Sequence, residues 1–231
     1  DRMDITSEPY RFLTADSLEL QDMPVQGLRS GLGAQLLYDD RDSLLNPLRG
    51  SFLELNLLHY NRLWGSDYQF TVVSADARHY WNPVQNHTLA MRGLLALELA
   101  NDPIPMRALS RVGGHKFIRG YFKGTYQDHH MAAFEMEYRF PLWSEGTDVP
   151  LWQVWKRLGV VAFLGGAQVA HNISGWQWDR FNLAAGGGLR ILFNPESRVN
   201  IRIDYAIGLH KNSGGPGERQ HGFYFYLGEA F

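Results

Sequence analysis

Phe134-Glu135-Met136-Glu137-Tyr138-Arg139-Phe140 is the stretch whose period decides the fold. Strand side chains alternate between faces, so Phe134, Met136, Tyr138 and Phe140 share one side while Glu135, Glu137 and Arg139 share the other. A helix would mix the two sets around its circumference. The rhythm recurs to either side. Leu89, Met91, Leu95, Leu97 and Leu99 fall on one face with Arg92 and Glu98 on the other, and Leu53-Glu54-Leu55-Asn56-Leu57 and Ile201-Arg202-Ile203-Asp204-Tyr205 repeat it. It is less clean around Asp76, Arg78 and Arg190.

The alternating segments run about ten residues, the length a tilted strand needs to cross a bilayer. They predict strands near 3–14 (weakly patterned), 27–39, 51–61, 67–81, 88–100, 129–141, 157–169, 181–193, 198–210 and 221–231. Ten strands is the expectation, with eight or twelve as alternatives. Asn82-Pro83-Val84-Gln85-Asn86 and Asn194-Pro195-Glu196-Ser197 read as tight turns, whereas 101–128, 170–180 and 211–220 are longer and rich in Gly or polar residues. Short turns on one side and long loops on the other are the habit of outer-membrane barrels. An even strand count then puts both termini in the periplasm. The stretch from Trp143 to Trp155 is long for a turn and suggests an interfacial helix with Trp152 and Trp155 at the membrane boundary.

Composition excludes several alternatives. In 231 residues no linker or shift in composition divides the chain, so 1–231 reads as one domain with 1–26 as an N-terminal segment. A net charge of −2 with dispersed basic residues leaves no footprint for nucleic acid. The absence of cysteine removes disulfides and thiolate metal sites. No apolar run reaches the roughly 18 residues of a helical span, and Asp1 to Tyr10 has no signal-peptide pattern. The 13% aromatic content and 24 glycines suit an all-β chain with aromatic belts and tight bends.

A soluble β-sandwich alternates too. Two features favour a membrane barrel: the polar face carries acids and bases together, and the chain ends Phe223-Tyr224-Phe225-Tyr226-Leu227-Gly228-Glu229-Ala230-Phe231. Such a terminal strand, greasy on one face, pairs and faces lipid in a closed barrel.

Six short motifs occur in a telling order: Tyr38-Asp39-Asp40-Arg41-Asp42 with Pro47-Leu48-Arg49-Gly50; Gly113-Gly114 with Ile118-Arg119-Gly120-Tyr121; Glu137-Tyr138-Arg139-Phe140-Pro141-Leu142; Gly186-Gly187-Gly188-Leu189-Arg190; Ile201 to Ala206; and the terminal Phe231. Over residues 27–231 the chain thereby resembles the outer-membrane assembly and two-partner-secretion barrel superfamily, also called bacterial surface antigens. The resemblance implies that the loop carrying Ile118, Arg119, Gly120 and Tyr121 folds back into the barrel, where Arg119 meets carboxylates of the lumen. Glu135 and Glu137 are inward by alternation on the strand after the loop; Glu137 is the expected partner and Glu135 the second choice. The family usually has an Asp in a Phe-x-Asp-x-Gly stretch of the next strand, and here Phe163-Leu164-Gly165-Gly166-Ala167 has Gly165 in that place. The resemblance also makes Phe223, Phe225, Leu227 and Phe231 a C-terminal assembly signal.

By alternation the inward acids are Glu54, Asp76, Glu98, Glu135, Glu137 and Asp204, and the inward bases Arg78, Arg92, Arg139, Arg190 and Arg202, with Arg119 added from the loop. Balanced charges pair with one another, whereas an ion-selective pore carries an excess of one sign. A plugged barrel is expected, with Arg139, Asp204 and Arg202 among the lumen partners.

In the family, client strands are thought to pair at an opening seam between first and last strands. Here the first segment contains Pro9 and alternates poorly, which predicts a weak edge. The expected function is assistance to membrane-protein assembly or polypeptide secretion at a bacterial outer membrane, without catalysis. The alternative is a passive structural or narrow-pore barrel, or the membrane anchor of a larger protein. Expected partners are outer-membrane lipid (lipopolysaccharide and phospholipid), client polypeptides and periplasmic accessory proteins. The family's periplasmic modules have no counterpart in residues 1–26. No cofactor and no metal are expected: there is no Gly-x-Ser-x-Gly elbow, and His129-His130, adjacent on a strand, point to opposite faces.

Overall fold

The computed structural model describes residues 27–85, 87–100, 104–115, 117–142, 157–194, 196–210 and 218–231. The chain is all-β among them, with strands β1 (Gly31–Asp39), β2 (Gly50–Tyr60), β3 (Phe70–Val84), β4 (His87–Ala100), β5 (Ser110–Val112), β6 (Tyr126–Asp128), β7 (His130–Pro141), β8 (Leu158–Ala170), β9 (Asn182–Asn194), β10 (Val199–Gly208) and β11 (His221–Leu227). Nine of these form one antiparallel sheet in the order β1-β2-β3-β4-β7-β8-β9-β10-β11. Each strand lies beside its neighbour in sequence, the up-and-down arrangement of a transmembrane barrel. The exception is the β5–β6 hairpin, which leaves the sheet between β4 and β7 and packs against β7 and β8.

Burial is inverted relative to a soluble protein. Arg119, Arg202, Glu137 and Asp204 are among the most deeply buried side chains, while Leu36, Leu57, Met136, Tyr138, Leu164, Leu189, Phe223 and Phe225 are exposed. A water-facing sandwich would bury the second set and wet the first. Lipid tails on the outer face satisfy the apolar set, and the ladder satisfies the backbone, whose unpaired groups would each cost several kcal/mol in hydrocarbon.

The sheet has two unlike ends. Connections 40–49, 85–86 and 195–198 lie at one end, and 61–69, 101–129, 171–181 and 209–220 at the other. The acidic stretch after β1 is an ordered turn: Asp40 Oδ1 accepts from the Ser51 amide at 2.5 Å, and Asp42 Oδ1 from the Leu48 amide at 2.9 Å. Arg198, between β9 and β10, reaches Asp42 Oδ2 at 2.6 Å and ties two distant turns together at this end.

Two expectations are corrected. Strand β11 stops at Leu227 rather than Phe231, because Gly228 takes a left-handed φ of +86° and donates its amide to Asn200 O at 2.8 Å. The chain then turns inward, so Phe231 is 7% exposed against Tyr80 and Ala90 instead of facing lipid. The long 101–128 connection is also no plain loop, since it holds the β5–β6 hairpin. The predicted strand at 3–14 with Pro9, and Trp152 and Trp155, lie outside the described residues.

Candidate functional site

Gly113 starts the inserted loop. It has φ +110°, and a Cβ there would stand 2.0 Å from Phe122 O, so only glycine permits the crossing. The Gly114 amide then donates to Tyr121 O at 2.8 Å and the Gly124 amide to Val112 O at 3.1 Å, which folds the segment into a compact finger. Ile118 anchors it in an apolar nest with Val112, Tyr121, Met131, Ala133, Ala167 and Ala184. Burying this face draws Arg119 into the lumen behind it.

Arg119 is 1% exposed. Its Nη1 donates to Asp204 Oδ2 on β10 at 2.7 Å, and its Nη2 donates to Glu137 Oε1 on β7. Glu135 Oε1 is 3.8 Å from Nε, an ion-pair distance too long for a hydrogen bond. The guanidinium carbon lies 3.6 Å from the centre of the Phe163 ring on β8, a cation–π contact that holds the group beside its carboxylates.

A second layer completes the charge balance. Glu137 Oε2 accepts from Arg139 Nε at 2.8 Å, and Asp204 Oδ1 from Arg190 Nη1 at 2.5 Å. Arg202 Nε stands 3.3 Å from Asp204 Oδ2. Arg190 Nε donates to Glu229 Oε2 at 2.9 Å, and Asn200 Nδ2 to Glu229 Oε1 at 2.6 Å. Burial pushes the Glu229 carboxyl up, but Arg139 and Arg190 more than offset it and hold it below the usual carboxylate range. Arg119, Arg139, Arg190 and Arg202 thus face Glu135, Glu137, Asp204 and Glu229, each charge within reach of an opposite one. Breaking such a buried set from one side costs roughly 3–5 kcal/mol, because a charge is left without compensation.

Residues 6–231 match the Omp85 superfamily domain. The chain belongs to the Omp85 superfamily. These are outer-membrane β-barrels of protein insertion and translocation. No curated protein matches the sequence. Among solved structures, the fold is similar to that of BamA from Haemophilus ducreyi lacking POTRA domains 1-3, with a TM-score of 0.66 and 16% identity over 91% of this chain and 46% of that one. At that identity the likeness is one of fold, and this Omp85 domain spans about half the length of that chain.

Within the Omp85 domain, the structure brings the expected loop residues and lumen partners together. Gly120, at φ +105°, lies so close to β10 that a Cβ would sit 2.8 Å from the Ile207 carbonyl carbon, and its amide donates to Tyr224 Oη at 2.9 Å. Tyr121 Oη donates to Leu183 O at 2.8 Å. The Phe122 amide donates to Gln220 Oε1 at 2.6 Å. Glycines opposite the charged residues make room for them: Gly188 pairs with Asp204 and Gly165 with Glu135, and added Cβ atoms would lie 2.1 Å from Asp204 Oδ1 and 3.1 Å from Glu135 Cγ. The position where the family usually has an Asp therefore holds the space that Glu135 leans across.

Other expected residues lie elsewhere. Asp76, Arg78 and Arg92 form their own cluster on β3 and β4, with Asp76 Oδ2 at 2.6 and 2.7 Å from the two arginines. Glu54 accepts only from Gln35 and Asn56 amides, at 2.9 and 2.8 Å, among the described residues. Phe223, Phe225 and Leu227 are exposed on the outer face. Sequence reasoning missed Glu229, Phe163, Tyr224 and Gln220. Glu229 carries a legible signal: continued alternation from Phe223 would put this acid on the lipid face, which requires the strand to break before it.

Proposed function

We propose that this barrel serves membrane-protein insertion or polypeptide translocation, with the inserted loop as a fixed internal latch and the working surface at the seam between its first and last strands. The observation that carries the reading is Arg119, held in a charge-balanced lumen between β7 and β10. A lumen neutralised in this way suits a filled barrel better than a selective pore. Work is then left to the sheet edges, which among the described residues are β1, exposed from Leu32 to Asp39, and β11. A strand edge in hydrocarbon is a template for an incoming client strand, by backbone pairing and without bond chemistry.

The reading places the short-turn end, and with it Phe231, on the periplasmic side, where accessory proteins would hand over clients, and the outer face in phospholipid and lipopolysaccharide. Because the chain lacks cysteine, a single engineered pair across the seam between the N-terminal strand expected near 3–14 and β11, in the full-length protein, gives a clean test. Oxidation is expected to stop client insertion into proteoliposomes and reduction to restore it. Insertion at an unchanged rate with the pair locked would sink the seam as the working surface. A steady large conductance would sink the filled lumen and favour a passive pore.

A further inference from the structure

Away from the lumen cluster, three metal-ligating side chains converge at the long-loop end. His130 pairs with Ala170 at the end of the β7–β8 ladder, so one step further on, His129 and His171 face each other across the two strands. Their rings meet edge to face, 4.7 Å between centroids at 83°. Asp128, the last residue of β6, turns its carboxylate back over this pair: its Oδ1 accepts from the His129 amide at 2.8 Å and stands 3.7 Å from His171 Nδ1. One ligand atom from each of Asp128, His129 and His171 lies within 4.8 Å of the others. Adjacency of His129 and His130 argued against a metal, and those two do diverge: His130 Nδ1 instead receives the Glu98 amide at 3.2 Å. The ring that joins His129 comes from 42 residues further along the chain, at His171.

We infer that Asp128, His129 and His171 form a binding site for a divalent transition metal of the zinc class. Two imidazoles and one carboxylate are the ligand set that zinc takes readily, with water completing the tetrahedron. Around zinc, bonds of about 2.0–2.2 Å place neighbouring ligand atoms roughly 3.3 Å apart, so the Asp128–His171 separation is near the mark and no pair need close by more than about 1.5 Å. His171 supplies that freedom: its side chain is 48% exposed, at the start of the 171–181 connection. A bound ion fastens the outgoing leg of the inserted loop, at Asp128, to the loop that follows β8. It thereby staples the finger carrying Arg119 at its rim end, independently of the carboxylates that hold its tip.

The test is zinc titration of the whole purified protein in detergent by calorimetry, with cobalt absorption as a spectroscopic check on ligand geometry. One zinc per chain is expected. His171→Ala and Asp128→Asn should each weaken binding by at least about tenfold, no less than loss of a supporting outer partner does elsewhere, and zinc should slow proteolysis of the 101–128 segment in the parent but not in His171→Ala. His130→Gln should leave the affinity in place. The assignment is overturned if no zinc binds, if His171→Ala and Asp128→Asn bind as tightly as the parent, or if His130→Gln loses as much as His171→Ala. His171 and Asp128 are solvent-accessible, so their variants keep the fold, and the retained heat-modifiable mobility of the barrel checks this.

Discussion

The arc from β7 to β10 and the arc from β1 to β3 are written in the same alternating code, yet they end up in different states. Along β7 the inner residues Glu135, Glu137 and Arg139 are buried, and along β10 so are Arg202 and Asp204. Along β1, inner and outer residues alike are exposed, and on β2 Glu54 meets, among the described residues, only amides. The difference is the finger between β5 and β6, which covers the first arc with Ile118, Arg119 and Tyr121. Alternation specifies which side faces inward; whether that side becomes a dry core depends on what is laid against it.

The largest break in this contrast should come from Arg119→Ala. It leaves Glu137 and Asp204 buried with one cation fewer, and a loss of about 3–5 kcal/mol is expected in urea unfolding of the detergent-folded barrel. Arg78→Ala in the other arc should cost less, about 1 kcal/mol, because Asp76, its side chain 15% exposed, keeps Arg92 at 2.7 Å and so retains a cation. Equal losses for the two would mean that the finger adds nothing to the pairing beneath it.

Gly120→Ala comes next. It forces a side chain to φ +105° and against the Ile207 backbone, a strain of roughly 1–3 kcal/mol. The finger should loosen while the sheet stays folded, seen as protease cleavage between β5 and β6 with an unchanged strand signal in circular dichroism. The smallest effect belongs to the turn end. Burial pushes the Asp42 carboxyl up, but Arg198 and the Leu48 and Arg49 amides outweigh it and hold it below the usual carboxylate range. A depressed folded value means the Asp42–Arg198 tie contributes fully above the unfolded value of about 3.9 and is lost as pH falls through the lower folded one. Exposure limits it to about 0–1 kcal/mol. Arg198→Ala should therefore lower stability slightly at neutral pH, by no more than that amount, leave it unchanged below the folded value, and so flatten the acid limb of the profile.

Where the sequence was legible, short-range physics was sufficient. Predicted 51–61, 88–100, 129–141 and 181–193 stand within a residue or so of β2, β4, β7 and β9, most plainly at β7, where charged and apolar residues alternate from Phe134 to Phe140. The three-residue strands β5 and β6 are too short to show any period, and β11 ended early at a glycine whose φ no pattern reveals. Arg119 was found by its motif and Glu137 by parity. Parity also put Asp204 in the lumen, but that it, 85 residues away, would share Arg119's guanidinium with Glu137 is a matter of barrel curvature, which no pattern shows. Glu229 went unseen because parity was carried past the point where the strand breaks.

The facing of Gly165 and Glu135 has a consequence for how such sequences should be aligned. What the lumen requires is negative charge at one location in space, and two neighbouring strands can each deliver it, provided the other stays bare. A carboxylate at 135 or at 165 would stand beside the same guanidinium, so a comparison that scores each position by itself would count an acid at the other as a missing one.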